Sequence, residues 1–419
     1  MSTPAPTTAP VVTLAQAVPL AGPHFQQEPS GFYEHLRRQF GPVAPVLLDG
    51  VPAWLVLGYE ELRMVTTRTD YFGRDSRRWN LWPTVPQDWP HLPMIGYQQA
   101  GESVLYAEGD EHQRRAHVVA QALRPIDMHE LRTTTARWAD FLLDQVHATG
   151  AADLVAAYTN PLPVLVLAHL MGFNQATAYQ LMQDITTMLD GGPDSIRGQQ
   201  GFRQAMVDVL GGARERPGAD IPTRMSIHPA ALTDEQIVQD LMVVMAAGHQ
   251  PTALWIATTL RLMLTPHPVS ELTRGRLSIT EALNRVLWDD TPTQNFAGRW
   301  AAQPGRLGNA SVSVGDMLIL GLAGANTDPR VRPKTAELAG NRSHLSYSLG
   351  QHGCPDPARQ IAEAIAKTAV GVVLDRMPDV ELAVTASDLT FRPSLWMRGL
   401  TALPVSFTPR PLGVPTTWL

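Results

Sequence analysis

The only cysteine of the chain lies in a segment whose residue types suit metal binding. Residues 347–355 read Tyr-Ser-Leu-Gly-Gln-His-Gly-Cys-Pro and precede a helix-patterned stretch. One cysteine among 419 residues cannot form an internal disulfide. A loop that delivers a sulfur to a helix N-terminus favours the thiolate, because backbone N–H groups are unpaired there and the helix dipole is positive. The segment therefore predicts a metal ligand or a nucleophile, although a lone cysteine without such neighbours is more often a small buried hydrophobe.

A second segment predicts a long helix with an unusual centre. Thr233-Asp-Glu-Gln236 is a capping-box signature, and a helical pattern follows it as far as Pro266. The centre reads Met-Ala-Ala-Gly-His-Gln-Pro-Thr over residues 245–252. Because Pro251 has no N–H, the carbonyl of Ala247 loses its usual partner and the helix is expected to open locally. An ordinary kinked core helix is the alternative.

The elements around these segments predict a mainly α fold with small β-sheets. Apolar runs at 43–48 and 53–57 flank Asp49-Gly50 and predict a hairpin, and residues 59–67 predict a short helix. Residues 78–100 combine prolines and tryptophans without periodicity and predict a long irregular loop. Most of 110–270 and all of 355–377 carry helical patterns, and strands are predicted at 380–384 and 403–407.

Composition limits the classes of protein that fit. Hydrophobic residues make up 44% of the chain, charged residues 17%, and the net charge is −6, so a nucleic-acid partner is disfavoured. No run of 18 apolar residues occurs, and the first residues lack the form of a signal peptide, which predicts a cytoplasmic protein without a membrane anchor. Residues 1–22 are predicted to be a disordered Pro/Thr/Ala leader, and residues 23–419 a single domain.

Together these segments resemble the cytochrome P-450 family. Its haem-binding loop reads Phe-Gly-x-Gly-x-His/Arg-x-Cys, and Tyr347, Gly350, His352 and Cys354 occupy matching positions. The resemblance implies the cytochrome P-450 fold and haem b (iron protoporphyrin IX), ligated by the thiolate of Cys354 and bound by Tyr347, Gly350 and His352. It also implies dioxygen as oxidant, with electrons drawn ultimately from NAD(P)H through a ferredoxin and a ferredoxin reductase. A monomer is expected.

Two further segments resemble the parts of this family that hold the haem carboxylates. Residues 110–116 read Asp-Glu-His-Gln-Arg-Arg-Ala and are similar to the family's Glu-His-x-x-x-Arg, which implies that His112 binds a carboxylate. The arginine position of that motif is Ala116, and whether Arg114 or Arg115 replaces it stays open. Arg299 matches the family's strand arginine, which implies contact with the other carboxylate.

Besides Ala116, the chain departs from the family at two other motifs. The family's Ala-Gly-x-Glu/Asp-Thr-Thr becomes Ala247-Gly248-His-Gln250-Pro251-Thr, which implies that Ala247, Gly248 and Gln250 lie at the catalytic position. Gln250 cannot ionise and Pro251 has no hydroxyl, so the usual proton relay is absent. The Glu-x-x-Arg positions are occupied by Asn284 and Leu287. Both departures resemble a soluble actinobacterial subset of the family.

The family layout implies a substrate pocket built from several segments. Its expected residues, besides the tryptophan-rich loop, are Met242, Met245, Ala246, Gln250, Asn295, Phe296, Leu395 and Trp396. The expected function is oxidation of a small aromatic substrate in natural-product biosynthesis by radical oxidative coupling, for example C–C or C–N dimerisation of tryptophan-containing cyclic dipeptides. Ordinary hydroxylation, peroxide-driven oxidation and a non-catalytic helper subunit are the alternatives. Arg114, Arg115 and Arg359 are expected on a basic docking face for the ferredoxin.

Overall fold

The computed structural model describes residues 11–96, 103–190, 192–265, 277–332 and 340–409. Within these ranges the α-helices are α1 Pro23–Gln27, α2 Pro29–Phe40, α3 Tyr59–Thr67, α4 Leu92–Ile95, α5 Gly109–Leu123, α6 Met128–Asp144, α7 Pro161–Met171, α8 Gln175–Asp190, α9 Ser195–Glu215, α10 Ile221–Ser226, α11 Asp234–Leu264, α12 Ile279–Asp289, α13 Leu322–Asn326 and α14 Asp356–Arg376. The strands are β1 Val18–Pro19, β2 Val43–Leu48, β3 Val51–Val56, β4 Phe72–Gly73, β5 Ala151–Asp153, β6 Phe296–Ala301, β7 Gly305–Leu307, β8 Ala310–Val312, β9 Met317–Leu320, β10 Glu381–Leu382 and β11 Pro404–Ser406. Helices dominate, which confirms the predicted fold class.

Three small sheets accompany the helices. The largest has the strand order β1-β2-β3-β9-β6-β4, and the others are β10-β11-β5 and β7-β8. The predicted hairpin is confirmed as β2 and β3, which pair antiparallel around Asp49 and Gly50. Both turn residues have positive φ, 44° and 84°, as a tight two-residue hairpin turn requires. The predicted strands near the C-terminal end are confirmed as β10 and β11.

The long helix α11 is confirmed, with the capping box that the sequence predicts. The Thr233 hydroxyl accepts from the Gln236 N–H, and the Gln236 side chain accepts from the Thr233 N–H. Pro251 lies inside the helix, which continues past it to Leu264. The α11 helix packs against α7, whose residues are almost all buried, so its central part runs through the interior of the molecule.

The predicted disordered leader is wrong for residues 11–22. Residues 14–16 form a 3-10 turn, β1 pairs parallel with β2, and the Leu20 N–H donates to the Leu47 carbonyl at 2.9 Å. Leu20 is fully buried, so an apolar anchor holds this segment on the sheet despite its proline content. Residues 1–10 lie outside the described residues.

Buried apolar side chains form a hydrophobic core that extends from Val12 to Phe407. In the part of the chain that the structure describes, no helix has the length and apolar character needed to span a bilayer. The predicted single domain over 23–419 stays a prediction.

Candidate active site

Cys354 ends a tightly hydrogen-bonded loop. Its N–H donates to the Tyr347 carbonyl at 2.9 Å, and the Gly353 N–H donates to the Gly350 carbonyl at 3.1 Å. The helix α14 begins immediately after Pro355, its N-cap. The loop therefore places the sulfur at a helix N-terminus, as the sequence predicts.

The environment of the thiol does not by itself favour the thiolate. Burial raises the pKa of the Cys354 thiol to about 11, and Arg359 offsets only part of that rise. The Arg359 Nε donates to the Cys354 carbonyl at 2.6 Å, and its guanidinium lies 5.3 Å from the Tyr347 ring centre. Burial therefore opposes the effect that the helix end is expected to have on the pKa of the free thiol. A metal cation on the sulfur would reverse the balance, since a coordinating thiol is deprotonated.

Neutral hydrogen bonds from α12 support the cysteine loop at the positions where the family has charged residues. The Asn284 amide and the Trp288 indole N–H both donate to the Asn341 carbonyl, at 3.1 and 2.8 Å. The Leu287 carbonyl accepts from the Ser346 hydroxyl at 2.6 Å. The substituted motif therefore still joins α12 to the segment that leads into the loop.

The central part of α11 forms one wall of a cavity. Its lining residues are Pro93, Met94, Ser103, Leu105, Tyr106, Met188, Leu189, Gln199, Phe202, Gln239, Met242, Val243, Ala246, Ala247, Pro251, Thr293, Phe296 and Met397. Among the predicted residues, Met242, Ala246, Ala247 and Phe296 are in this set. Three aromatic rings and only uncharged polar groups, within the described residues, face the cavity. Such a lining suits a neutral ligand with aromatic surface.

Five of the predicted pocket residues do not line the cavity. Met245, Asn295 and Trp396 are buried in the protein, and Leu395 packs against the core. The Asn295 amide accepts from the Tyr33 hydroxyl at 3.1 Å and donates to the Leu395 carbonyl at 2.7 Å, so it joins chain segments instead. Gln250 is the fifth. The structure therefore does not place these five residues at the cavity, and burial in the core accounts for Met245 and Trp396.

Gln250 belongs to a polar network between α8, α11 and the segment after α14. Its amide nitrogen donates to the Thr186 hydroxyl, and its amide oxygen accepts from Arg392 Nη1 at 2.9 Å. Arg392 also forms an ion pair with Asp190. Both ends of the Gln250 amide are therefore bound by protein, and its predicted place in the pocket is corrected to a structural one.

Gly248 faces α7 instead of the cavity. A Cβ at this position would lie 2.9 Å from Leu167 Cδ1, so glycine permits the close approach of α7 and α11. Its neighbour Ala247 does line the cavity, and Pro251 cannot donate to the Ala247 carbonyl. The wall of the cavity therefore carries a backbone acceptor without its usual helical partner.

The tryptophan-rich loop contributes less to the cavity than the sequence predicts. Pro93 and Met94 line it, whereas Trp79 and Trp89 are buried together with ring centres 5.8 Å apart. Trp89 packs edge-on against His91, which in turn packs against Trp396. The indoles of Trp79, Trp89 and Trp396 and the His91 ring thus pack against one another and form an aromatic cluster.

Four nitrogen-bearing side chains from distant parts of the sequence meet near the cysteine loop. The rings of His112 and His352 have centres 3.8 Å apart, and buried Arg299 and Arg74 lie close enough to affect the titration of both. Burial, reinforced by the charges of Arg74, Arg299 and Arg115, lowers the pKa of His112 to about 4. The pKa of His352 is also lowered, with burial as the largest cause and then Arg74, His112 and Arg299. Both histidines are neutral at pH 7, beside two arginines.

Among the residues that the structure describes, each of these four side chains has a buried nitrogen without a hydrogen-bond partner. The atoms are Arg74 Nη2, Arg299 Nε, His112 Nδ1 and His352 Nδ1. Buried polar groups in proteins are nearly always hydrogen-bonded, so such a group of unpaired atoms indicates a missing partner. Two arginines and two imidazoles suit a ligand that carries two carboxylates. Haem b has two carboxylates, so the residues present fit it.

Arg115 and Arg114 have other partners. Arg115 is fully buried and forms a two-pronged ion pair with Asp240, at 2.6 and 3.0 Å. Arg114 binds Glu111 at 2.8 Å and the Ala230 carbonyl at 2.9 Å. Arg115 therefore cannot lie on the expected docking face, since its charge is enclosed and neutralised. Neither Arg114 nor Arg115 therefore replaces the arginine that the family motif has at the position of Ala116.

Arg74 is the residue that sequence reasoning missed. It follows β4, which pairs with β6, and this pairing brings it beside the Arg299 strand. The motif comparison covers residues near 112, 299 and 352, and no pattern around Arg74 indicates a ligand. Only the order of the strands in the sheet reveals the neighbourhood.

No family model matches the chain, but relatives and solved structures do. The polyketide biosynthesis cytochrome P-450 PksS of Bacillus subtilis (strain 168) is 26% identical over 85% of this chain and 89% of its own length. The cytochrome P-450 monooxygenase PikC of Streptomyces venezuelae is 25% identical over 92% of both chains. The structure of CYP154C4 from Streptomyces sp. W2061 has a TM-score of 0.81 at 27% identity, covering 93% of this chain and 97% of that one.

Proposed function

Because this chain belongs to the cytochrome P-450 family of oxidoreductases, we propose that it is a haem-thiolate oxidase of natural-product biosynthesis that acts on a small aromatic substrate. The favoured reaction is radical oxidative coupling, for example of tryptophan-containing cyclic dipeptides. The observation that carries this proposal is a cavity with three aromatic rings, bordered by a helix α11 that has neither an acid at residue 250 nor a hydroxyl at residue 251.

The residues that would hold the cofactor come from three segments. Cys354 would supply the metal ligand, while Arg299, His352 and His112 would donate to the carboxylates. When bound, the haem supplies oxidising power from dioxygen and reducing equivalents, with the thiolate favouring O–O cleavage. Tyr347 and Gly350 would shape the loop around the ligand.

The cavity would bind the substrate through ring stacking and neutral hydrogen bonds. Tyr106, Phe202 and Phe296 present aromatic surface, and Ser103 and Gln199 present uncharged polar groups. A cyclic dipeptide with an indole side chain carries aromatic surface, amide N–H groups and no net charge. Its chemistry therefore matches the lining better than that of a charged or purely aliphatic substrate.

The proton path of this enzyme would differ from the usual acid–alcohol relay. The amide of Gln250 is bound at both ends by Thr186 and Arg392, and Pro251 has no donor. The Ala247 carbonyl, to which Pro251 cannot donate, would hold a water molecule or a substrate N–H at the cavity wall. Protons would then come from ordered water or from the N–H bonds of the substrate that the reaction breaks.

Coupling consumes hydrogen from two substrate bonds. Two N–H or C–H bonds break, one C–C or C–N bond forms, and the two hydrogen atoms leave with their electrons. With dioxygen as oxidant, two further electrons and two protons complete its reduction to two waters. With hydrogen peroxide, the same hydrogens yield two waters without an added reductant, and the missing relay specifically favours this second candidate.

The proposed electron supply is a ferredoxin and its reductase, drawing on NAD(P)H in the cytoplasm, with the enzyme acting as a monomer. Arg359 is partly exposed at the start of α14, beside the cysteine loop, and suits an acidic partner. Arg114 is partly exposed but already paired with Glu111.

The test is turnover of a panel of tryptophan-containing cyclic dipeptides, each alone and in pairs, with matched phenylalanine analogues as controls. Reactions run with ferredoxin, reductase and NADPH, or with hydrogen peroxide only. Mass spectrometry should find products that have lost two hydrogen atoms per coupling event. A hydroxylated monomer as the sole product would refute coupling and favour the ordinary monooxygenase reaction, and absence of any turnover by haem-loaded protein would favour a helper subunit.

A further inference from the structure

Arg74 is held rigidly in the interior with one nitrogen left over. It is 1% exposed, its Nε donates to the Leu105 carbonyl at 2.6 Å, and its Nη1 donates to the Ala297 and Gly298 carbonyls at 2.9 and 2.6 Å. Its Nη2 is buried and has no hydrogen-bond partner within the described ranges. Three carbonyls therefore fix the plane of the guanidinium and leave its remaining edge free for an anion.

Around Arg74 the described residues supply too little negative charge. Glu108 is a carboxylate close enough to affect the titration of Arg74, but it already accepts from the Arg74 and Asp75 backbone N–H groups and pairs with Arg78 at 2.7 Å. Burial lowers the pKa of Arg74 to about 10, so it remains a cation at neutral pH. Buried Arg299 is a second cation of the same cluster. Two enclosed cations are costly unless an anion joins them.

The helix α5 offers no arginine for this purpose. Ala116 lies one helical turn after His112 and on the same face of α5, where a long cationic side chain would reach the same cluster. Arg115, the adjacent arginine, is committed to Asp240. A positive charge that replaces the arginine absent at Ala116 must therefore come from another element of the fold.

We infer that Arg74 is a haem-binding residue that donates to a haem carboxylate and takes the place of the arginine absent at Ala116. Arg74, directly after β4, and Arg299, in the adjacent strand β6, then neutralise the two carboxylates. This inference rests on the proposed function, because it takes haem as the dicarboxylate ligand.

The same side chain links the cofactor site to the substrate cavity. The Arg74 guanidinium lies 5.0 Å from the Tyr106 ring centre and 5.2 Å from that of Phe296, and both rings line the cavity. A carboxylate bound by Arg74 would therefore fix a guanidinium that also packs behind two substrate-contacting rings. Haem binding and the shape of the cavity are coupled through this one residue.

The test measures haem loss by transfer to excess apomyoglobin, followed by absorbance. The variants are Arg74→Gln, Arg74→Lys, the double variant Arg74→Gln/Ala116→Arg, and Arg78→Gln as a matched control. Arg78 pairs with the same Glu108 but is 44% exposed at the surface. Circular dichroism confirms that each variant is folded before transfer begins.

Arg74→Gln should release haem roughly 10- to 100-fold faster than the wild type, as expected for the loss of a charge-assisted hydrogen bond in a buried site. The haem release rate of Arg74→Lys should lie between those of the wild type and Arg74→Gln. The double variant should regain slow release, and Arg78→Gln should release haem at the wild-type rate.

Release from Arg74→Gln at the wild-type rate would overturn the inference. Equal release from the Gln and Lys variants would also overturn it, because the carbonyl contacts and not the charge would then matter. A double variant that releases haem as fast as Arg74→Gln would overturn the equivalence of the two positions. Wild-type protein that takes up no haem would instead defeat the proposed function, and this inference with it.

Discussion

Two residues of the cysteine loop have left-handed backbone conformations, and only one of them is glycine. Gly350 has φ of 72°, and a Cβ there would lie 2.3 Å from the Thr66 carbonyl oxygen. Ser348 has φ of 57°, at a position where the resembled motif has glycine, and its hydroxyl is buried with no partner in the described part of the chain. Position 350 requires glycine because a Cβ would collide with Thr66 and because φ is positive, while the positive φ of Ser348 is a source of local strain.

The substitution Gly350→Ala should disrupt the loop that presents Cys354. The added methyl group cannot avoid the Thr66 backbone, which is part of α3, so the loop or the helix must shift. We expect the free energy of unfolding to fall by roughly 1–3 kcal/mol and haem content to fall with it. Chemical denaturation and the absorbance ratio of haem to protein measure both.

Ser348→Gly is the matched control in the same loop. It removes a strained conformation and an unpaired buried hydroxyl, so stability should be unchanged or raised by about 1 kcal/mol. Equal destabilisation by the two substitutions would show that the conformation of Gly350 is not special.

Within helix α11, two side chains on the same face, Ala246 and Gln250, have different surroundings. Ala246 lines the cavity, whereas Gln250, one turn further on, is bound to Thr186 and Arg392. The helical period places both on the same face. Gln250 is bound by protein because α8 and the segment that carries Arg392 pack against it, whereas Ala246 remains open to a ligand.

Ala246→Phe and Gln250→Ala should therefore have opposite effects. The phenylalanine fills the cavity and should weaken substrate binding at least tenfold with stability retained. The alanine removes the acceptor of Arg392 Nη1 and the donor to the Thr186 hydroxyl, although Arg392 keeps its ion pair with Asp190, and should lower the free energy of unfolding by about 1–3 kcal/mol, with substrate affinity changed less than threefold. Spectral substrate titration and urea unfolding separate the two, and a Gln250→Ala variant that loses affinity without losing stability would contradict the assignment.

For the whole molecule, buried histidines predict how stability depends on pH. Burial lowers the pKa of His249 and of His344 to about 4, from an ordinary 6.5. The unfolded chain therefore takes up protons below about pH 6.5 that the folded protein does not. Each histidine contributes stability that is present above that pH and is lost as the pH falls towards 4, by roughly 1.4 kcal/mol per pH unit.

His249→Gln should reduce the slope of the unfolding free energy with pH by about the contribution of one histidine. The wild-type side chain contacts the Asn160 carbonyl through Nε2 at 3.0 Å, and glutamine keeps a donor for that carbonyl. Unfolding free energies measured between about pH 7 and pH 5 give the slope. An unchanged slope in the variant would show that His249 is not buried as a neutral group.

The sequence predicts those features of the whole molecule that depend on local patterns. The β2–β3 hairpin follows from Asp49-Gly50, and the start of α11 follows from its capping box, because neighbouring residues determine both. The cysteine loop follows from a motif of the same local kind. Arg74 could not be predicted, because its importance arises from the pairing of β4 with β6, more than 200 residues apart in the chain.

The same limit explains the wrong predictions at the site. Spacing gives the face of a helix but not the neighbour that the face meets, so Gln250, Met245 and Trp396 are misassigned to the cavity. The leader is misjudged because proline-rich composition does not reveal that Leu20 is buried on the sheet.

The central claim, that Cys354 binds haem iron as a thiolate, is tested most directly by the absorbance spectrum of the reduced, carbon monoxide-bound protein. The wild type should show the long-wavelength Soret band that thiolate ligation gives, and Cys354→Ser should lose that band while Arg78→Gln, a half-exposed control outside the cysteine loop, keeps it. A wild-type protein without haem, or a serine variant with the same Soret band as the wild type, would contradict the account.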